Sequence, residues 1–392
     1  MKICIATSTR ADWGLLSPLA AELRRRPGVE LQILATNMHL MPEYGMTVDE
    51  IERQGFVVSA RVPMPLEGEG EAARVRAMAA CMDGTAQALR RLAPDMLVVL
   101  GDRYEMLAIA SAATVMTIPI AHIAGGEVSE GAIDDNIRHA ITKLSALHFT
   151  ATEPYRRRVI QMGEDPARVV NAGALGVWNI LNQPLMTLPE LEANLGFKFA
   201  PGRTVVATFH PVTRANESIG PMLDALDAIP GLRAIITYPN NDAGSEPIIE
   251  RIRAFAAERP DSILVVKSLG MIRYLSAVRY ASAVVGNSSS GIVEVPSLGV
   301  PTVDIGTRQQ GRLCGPSVLH CPCDTPSVTA ALRRALTPEH QALASRRENP
   351  YHRPDTVRTI ADTLLSTTPT SLSTLTHKHF HDLPQIQFST RE

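Results

Sequence analysis

The sequence predicts an α/β fold of two doubly wound, Rossmann-like domains that face each other across a cleft. Short apolar runs alternate with longer amphipathic stretches, which is typical of βαβ units with buried parallel strands. The runs form two series, and a stretch with several Pro and Gly between residues 172 and 201 separates them. The predicted strands are residues 2–6, 30–35, 96–100, 118–122 and 146–150, then 205–209, 233–237, 262–266, 283–286 and 302–305.

The composition excludes several classes of protein. With 45% hydrophobic and 20% charged residues among 392, the chain has enough apolar material for ordinary globular cores. The formal net charge of −2 argues against a dedicated nucleic-acid-binding protein, which normally has a basic excess. The apolar region 108–126 is interrupted by polar residues and no signal peptide fits the first residues, so we expect a cytoplasmic protein without a membrane span.

The five cysteines do not suggest a disulfide framework or a metal site. Cys314, Cys321 and Cys323 lie close together, but they lack the second pair of ligands that a zinc site needs. We therefore expect no metal and no other cofactor.

In open α/β sheets, ligands bind beyond the carboxyl ends of the strands, so the loops after the strands should carry the chemistry. The first loop, TSTRADWG from residue 7, lacks the GxGxxG pattern of a dinucleotide site. Arg10 stands where its guanidinium can reach a phosphate at a helix N-terminus, or it is a surface residue paired with Asp12.

Carboxylates follow the later strands of the first series. Asp102 comes directly after the apolar run MLVVL and is either an acid or base or a helix N-cap. Glu127 and Asp134 lie in the acidic, glycine-rich stretch 122–139. These acids either form a catalytic cluster with Asp102 or only stabilise a helix dipole.

The second series carries the phosphate-binding pattern. The segment GNSSSG from residue 286 offers backbone N–H groups and hydroxyls to an anion, or it is a Ser-rich turn with an N-cap. Glu294, about one turn further, is placed to hold the hydroxyls of a ribose, and Arg308 follows the next strand. His210, after strand 205–209, either neutralises a leaving phosphate or is satisfied by backbone groups. The anion-binding residues predicted in GNSSSG are Ser288, Ser289, Ser290 and Gly291.

Read together, the loops resemble the UDP-N-acetylglucosamine 2-epimerase family. The resemblance extends from Lys2 to about Ile360 and is carried by several motifs in the family's order. These motifs are GDRYE, HIAGGEVSEGAIDDNIRHAITKLS, FHPVT, TYPNND, GNSSSGIVEVPSLGVPTVDIGTRQQGR and RENPYHRPDT. The resemblance implies a fold of the glycosyltransferase-B type, whose last helix crosses back to the N-terminal domain.

The resemblance is to the hydrolysing branch of that family. The non-hydrolysing branch carries a GQH-type segment after the second strand, where this chain reads TNMHLMPEYG. The hydrolysing reaction removes the proton on carbon 2, eliminates the nucleoside diphosphate to leave a glycal, and adds water to release a free N-acetylmannosamine-type sugar. The alternatives left open are a non-hydrolysing epimerase and a glycosyltransferase of the same architecture.

The resemblance also implies roles for individual residues. Asp102 and Asp134 match acid/base carboxylates, Glu294 matches the ribose ligand, and Arg103 matches a neighbouring residue of the cleft. Asn240 matches a residue near phosphate and sugar. Ser268 lies in a segment that borders the base, and the nucleotide is either UDP or GDP. The residues that match diphosphate or nucleotide ligands are Arg10, His210, Ser288, Ser289 and Arg308. The expected partner is a nucleotide-sugar substrate, and the chain is expected to form a homo-oligomer, a dimer or a tetramer.

One position departs from the family pattern. Many members carry Glu where this chain has Ala124, so either Glu127 takes its role or the carboxylate set differs. The loop also carries an extra residue, SEGAIDD in place of the shorter SGTIDD form, and such versions resemble enzymes that act on 2,4-diacetamido-2,4,6-trideoxy sugars in legionaminic-acid synthesis. Ala in place of Glu would leave room for a sugar that is bulkier at one position and less polar at another.

These observations predict four segments. Residues 1–172 form the N-terminal domain with the acid/base carboxylates, and residues 173–351 form the nucleotide-binding domain. Residues 352–365 form the helix that crosses back. Residues 366–392 are rich in Ser and Thr and are expected to be a mobile tail.

Overall fold

A computed structural model describes residues 1–42, 45–65, 70–128, 133–212, 217–239, 245–367 and 375–382. The chain divides into two compact units, described here separately. The first unit contains the described residues of Met1–Trp178 and Arg353–Glu392, and the second contains those of Asn179–His352. Within the described residues, no helix has both the length and the apolar character needed to cross a membrane.

The first unit is built around a parallel sheet. Its strands are β1 (Lys2–Thr7), β2 (Glu30–Thr36), β3 (Val58–Val62), β4 (Met96–Leu100), β5 (Ile120–Ile123), β6 (Leu147–Thr150) and β7 (Val169–Asn171). Its helices are α1 (Arg10–Arg25), α2 (Val48–Arg53), α3 (Gly70–Leu92), α4 (Tyr104–Val115), α5 (Ile133–Leu144), α6 (Glu153–Gln161) and α7 (Leu175–Asn182), which runs across the boundary between the units. Short 3-10 helices cover Asn37–Leu40 and Pro166–Arg168.

The sheet of the first unit has the strand order β3-β2-β1-β4-β5-β6-β7 in the described residues. All its pairs are parallel, as in Ile3 opposite Leu31 and Ile5 opposite Val98. Alternate residues of β1 enter different cores: Ile3 and Ile5 join one, and Cys4 joins the other. Because successive side chains of a strand point to opposite faces, both faces of this sheet are buried.

The second unit repeats the same plan. Its strands are β8 (Thr204–Thr208), β9 (Arg233–Thr237), β10 (Ile263–Val266), β11 (Ala283–Gly286), β12 (Thr302–Ile305) and β13 (Val318–Cys321), in the order β10-β9-β8-β11-β12-β13. Its helices are α8 (Leu188–Leu195), α9 (Gly220–Asp227), α10 (Ser245–Ala257), α11 (Gly270–Tyr280), α12 (Ser289–Val293), α13 (Val295–Leu298), α14 (Thr325–Ala335) and α15 (Pro338–Ala344). Val205 and Val206 of β8 enter different cores, so this sheet is also covered on both faces.

The predicted fold class, two Rossmann-like α/β units with parallel sheets, is confirmed. Each of the ten predicted strands overlaps an observed one. The apolar pattern of the sequence did not predict β3, β7 and β13, which all lie at edges of the two sheets. An edge strand is covered less completely, and β3 alternates buried and exposed residues instead of forming a continuous apolar run.

The chain returns to the first unit in α16 (Thr356–Leu365). Val357, Ile360 and Leu364 of α16 join the core beneath β1 and α1. Arg26 Nη2, just beyond α1, donates to Asp362 Oδ1 at 2.7 Å. The amphipathic pattern of α16 therefore supplies an apolar face that completes the core of the first unit.

Residues 375–382 differ from the mobile tail expected for 366–392. Leu375 is buried in the core of the first unit, and the backbone N–H of His381 donates to the Gly163 carbonyl at 2.9 Å. Lys378 Nζ donates to the carbonyls of Lys143 and Ser145, at 2.7 and 2.8 Å. The polar composition of this segment therefore gave no sign of two contacts. Leu375 packs into the core, and Lys378 satisfies carbonyls at the C-terminal end of α5.

Gly286, the last residue of β11, is required by close backbone packing. Its φ is +136°, and a Cβ atom there would lie 1.9 Å from the Thr208 carbonyl oxygen of β8. The Asn287 N–H donates to that same carbonyl at 3.2 Å. The ends of β8 and β11 can therefore approach each other only if residue 286 has no side chain.

We expect Gly286→Ala to lower the free energy of unfolding by about 3 kcal/mol, because both the backbone and a carbonyl must move. Gly202→Ala is the matched control in the same unit, since Gly202 has a φ of +71° but nothing within 4 Å of the added Cβ. The control should cost only about 1 kcal/mol. Urea unfolding followed by circular dichroism measures both, and equal midpoints for the two variants would contradict the packing argument.

Candidate functional site

The loop after β1 is fixed by a capping box. The Asp12 carboxylate accepts from the backbone N–H groups of Ser8 and Thr9, each at 2.7 Å, and from both hydroxyls. Arg10 is exposed at the first position of α1, and no ion pair joins it to Asp12 among the described residues. The alternative of an Arg10–Asp12 surface pair is therefore not found, and the guanidinium faces solvent at a helix N-terminus.

Asp102, at the end of β4, is held by a buried arginine. Arg138 of α5 has only 4% of its side chain exposed and donates through Nη2 to Asp102 Oδ2. Arg138 Nη1 donates to Asp135 Oδ1 at 3.1 Å and to the Glu127 carbonyl at 2.9 Å. The N-cap of α4 is Arg103, without a side-chain capping bond, so Asp102 is not the cap that the sequence left as its alternative.

His122 of β5 is a positioning residue, a role that the sequence alone did not indicate. It is fully buried; its Nε2 lies 2.8 Å from the Gly101 carbonyl, and its Nδ1 lies 3.1 Å from Thr142 Oγ1. Burial lowers the pKa of His122 to about 3, so the ring is neutral and Nε2 donates to Gly101. His122 thus ties the turn that carries Asp102 to α5.

Asp134 lies exposed in the first turn of α5. Desolvation by nearby protein atoms, and then the negative charge of Asp102, raise the pKa of Asp134 above its usual value. Glu127 is half-buried, and its backbone carbonyl joins the same group through Arg138.

Arg103 is oriented by a buried acid. Its Nε donates to Oε1 of Glu105, whose side chain is fully buried, whereas 40% of the Arg103 side chain is exposed. The other carboxylate oxygen of Glu105 has no hydrogen-bond partner among the described residues. The spacing in GDRYE places the two side chains at the start of α4, and the sequence alone did not indicate their pairing.

In the second unit, Asn287 joins the ends of β8 and β11. Its Oδ1 accepts from the His210 backbone N–H at 2.7 Å, and its Nδ2 donates to the His210 carbonyl at 2.9 Å. Asn287 is fully buried, and the sequence alone did not indicate its role. These two bonds position the backbone of His210, which is itself buried.

The carbonyl of Asn287 positions the loop after β12. It accepts from Arg308 Nη1 at 3.2 Å and from Gln309 Nε2 at 2.9 Å. Arg308 is exposed and Gln309 is buried, so Gln309 fixes the loop while Arg308 extends toward solvent. One buried asparagine therefore links His210 and Arg308, two residues that the sequence predicted separately.

The NSSSG segment leads into α12. Ser288 precedes the helix and its side chain makes no capping bond, so the alternative of a simple Ser N-cap is not found. Ser290 Oγ donates to Glu294 Oε2 at 2.6 Å, and burial raises the pKa of Glu294. Gly291 is buried against Thr302 of β12, whose Oγ1 donates to its carbonyl at 2.8 Å.

The remaining predicted residues are less constrained by the structure. Ser289 is half-buried at the first position of α12. Ser268 is exposed, and its Oγ accepts from the Gly270 N–H at 3.3 Å. Asn240 lies outside the described residues. Within each unit, the predicted residues thus gather after the carboxyl ends of the strands.

Comparison with known proteins identifies relatives over most of the chain. A family model described as UDP-N-acetylglucosamine 2-epimerase matches residues 21–365. A Campylobacter jejuni protein, "GDP/UDP-N,N'-diacetylbacillosamine 2-epimerase (hydrolyzing)", is 39% identical over 80% of this chain and 82% of its own length. An Escherichia coli protein, "Polysialic acid biosynthesis protein P7", is 34% identical over 99% of both chains.

Solved structures share the fold. A Neisseria meningitidis UDP-GlcNAc 2-epimerase bound to UDP-GlcNAc has a TM-score of 0.77 at 18% identity, over 93% of this chain and 100% of that chain. A putative UDP-N-acetylglucosamine 2-epimerase from Listeria monocytogenes has a TM-score of 0.79 at 17% identity, over 97% and 99%.

We expect Asn287→Ala to lower the free energy of unfolding by about 2 to 4 kcal/mol, because it removes both amide hydrogen bonds to the backbone of buried His210. Ser288→Ala is the neighbouring control and should change this free energy by less than about 0.5 kcal/mol. Denaturant unfolding measures both variants. A stable Asn287→Ala variant would show that the two bonds to His210 are dispensable.

Proposed function

The chain belongs to the UDP-N-acetylglucosamine 2-epimerase family, and from this premise we propose that it is a hydrolysing 2-epimerase of a nucleotide-linked N-acetylated amino sugar. The observation that carries this proposal is the coupling of Asp102 to Asp134, whose pKa is raised. Relatives named as hydrolysing epimerases, at 39% and 33% identity, support the hydrolysing reaction over the non-hydrolysing alternative.

The first step is removal of the proton on carbon 2 as the nucleoside diphosphate departs. That proton is weakly acidic, so a positioned base and a stabilised leaving group must act together. We assign this proton transfer to the carboxylates of the first unit, Asp102 and Asp134, with Glu127 beside them. A carboxyl with a raised pKa can hold a proton closer to neutral pH, which suits the return of a proton when water adds to the glycal.

The departing diphosphate gains negative charge in the transition state. We assign its stabilisation to His210, Arg308 and Arg10, with hydroxyls and backbone N–H groups of the NSSSG segment. The paired Ser290 and Glu294 are assigned to the ribose, Ser268 to the edge of the base, and Asn240 to phosphate and sugar. Asn287 acts through His210 and Arg308 as a positioning residue.

The sugar is the finer part of the proposal. Ala124 follows β5 with a φ of +67° and packs against the core of the first unit, so this position offers a methyl group and no carboxylate. Two relatives carry names that specify diacetylbacillosamine, which supports a 2,4-diacetamido-2,4,6-trideoxy sugar on UDP or GDP. Glu127 then takes the role of the missing Glu.

We also propose that the enzyme acts in the cytoplasm as a homo-oligomer, a dimer or a tetramer. All five cysteines are free, which fits a reducing compartment. Light scattering of the purified protein tests the oligomeric state.

The reaction class is tested by incubating the protein with the nucleotide sugar in heavy water, without an acceptor. We expect free sugar with deuterium at carbon 2 and one nucleoside diphosphate released per sugar, read by NMR and mass spectrometry. A product still linked to the nucleotide would indicate the non-hydrolysing reaction. A requirement for an acceptor would indicate a transferase.

We expect Asp102→Asn to reduce kcat about a thousandfold, because the amide cannot take the proton. Asp135→Asn is the matched control, since Asp135 bonds to the same Arg138. The new amide oxygen can still accept from Arg138, and Asp102 remains beside that guanidinium, so turnover of the control should stay within about fivefold of the wild type. Equal losses in the two variants would mean that Asp102 only neutralises Arg138.

Substrate choice is tested with a panel of UDP- and GDP-linked sugars. We expect kcat/KM for the diacetamido trideoxy sugar to exceed that for UDP-GlcNAc by about tenfold or more. Ala124→Glu should lower turnover of the diacetamido sugar more than Ala124→Gln, which adds similar bulk without charge. Equal or better turnover of UDP-GlcNAc by the wild type would reject this sugar assignment and leave the reaction class intact.

A further inference from the structure

Three side chains of the second unit form a relay outside the proposed catalytic groups. Asp304 of β12 and His320 of β13 stand opposite each other in the parallel register. His320 Nδ1 lies 2.8 Å from Asp304 Oδ2, and the other ring nitrogen, Nε2, lies 3.3 Å from Cys314 Sγ. The order carboxylate, imidazole and thiol is that of activated cysteine nucleophiles.

The buried end of this relay requires a positive charge. The Asp304 side chain is 2% exposed, and its Oδ1 has no hydrogen-bond partner among the described residues. A buried carboxylate is stable only beside a cation, and His320 is the group that contacts it. The bonds to Asp304 and then to Cys314 raise the pKa of His320 to about 10, so the charged ring donates from both nitrogens.

The exposed end of the relay is Cys314. A charged imidazole that donates to sulfur stabilises negative charge there, and the thiolate is the nucleophilic form of cysteine. Cys4, Cys81 and Cys321 are buried, whereas Cys314 is partly exposed. A cavity of about 550 Å³ beside the relay is lined by His320 and by Cys323 but not by Cys314, so the comparison thiol Cys323 is also open to an incoming molecule.

Cys323 provides a comparison within the same protein. It is also partly exposed, but its Sγ donates to the Ser218 carbonyl at 3.3 Å, a contact that favours the protonated thiol. No group of three or more His, Cys, Asp or Glu side chains in the described part of the chain is arranged to hold a metal ion. The relay therefore fits thiol chemistry better than metal binding.

We propose that Cys314 is a reactive thiol and the site of reversible mixed-disulfide formation with small disulfides. The Cys314 thiolate attacks one sulfur of the disulfide, a new S–S bond forms as the old one breaks, and the other half leaves as a thiolate that takes a proton from solvent. The Cys314 sulfur is oxidised and the departing sulfur of the small disulfide is reduced, so the step needs no other oxidant. His320 and Asp304 act as positioning residues for the sulfur.

The test uses the full-length protein with 2-hydroxyethyl disulfide, with adducts at each cysteine quantified over time by peptide mass spectrometry. At about pH 7, we expect Cys314 to react roughly ten times as fast as Cys323. As the pH rises through about 10, the ratio of the Cys314 rate to the Cys323 rate should fall, because His320 loses its proton and its Nε2 can no longer donate to the sulfur. A reducing agent should release the adduct.

Substitutions test the relay itself. His320→Gln and Asp304→Asn should each slow the Cys314 reaction roughly tenfold and leave Cys323 unchanged. Buried Cys321 reports on folding, because it reacts only if the unit opens, and the wild-type pH profile gives a result that needs no variant. Equal rates and parallel pH profiles for Cys314 and Cys323 in the wild type would overturn the proposal. So would a folded His320→Gln variant with unchanged Cys314 reactivity. The readout does not depend on turnover, so it is separate from the epimerase assignment.

Discussion

The acidic group of the first unit depends on one buried cation, the guanidinium of Arg138. It contacts Asp102 at the end of β4, Asp135 of α5 and the carbonyl of Glu127. Removing one partner from a buried ion pair typically costs about 3 to 5 kcal/mol, because the remaining charges stay buried. The fold therefore holds acids close together by neutralising some of them. Desolvation, and then the charge of Asp102, still raise the pKa of Asp134.

In the second unit, the residue that positions the predicted site residues has an uncharged side chain. A fully buried amide, that of Asn287, bonds to the backbone of His210, and the carbonyl of the same residue receives Arg308 and Gln309. An amide has a donor and an acceptor, so it can satisfy both backbone groups of one residue. The strand ends also pack tightly at the preceding residue, Gly286, where a side chain would collide with the carbonyl of Thr208.

Much of this arrangement followed from the sequence. Family membership, inferred from motifs in order, is confirmed, and the predicted strands overlap observed ones because buried parallel strands are nearly continuous apolar runs. The edge strands lacked that signal. The roles of His122, Asn287 and Arg138 could not be predicted, because each depends on contacts between segments far apart in the sequence. For the same reason, the sequence left open whether Asp102 is a helix cap and Arg10 a partner of Asp12, and it could not reveal the docking of Lys378.

The contact of Lys378 with the C-terminal end of α5 has a consequence for the N-terminal end of that helix. Lys378 bonds to carbonyls at the C-terminal end of α5, whereas Asp134 and Asp135 occupy its first turn. Proteins open locally in cooperative segments, so contacts that hold one end of a short helix also stabilise its other end. The structural order of Asp134, a proposed proton-transfer group, is thus linked to residues 375–382. An affinity tag or a truncation at that terminus is not a neutral choice for this protein.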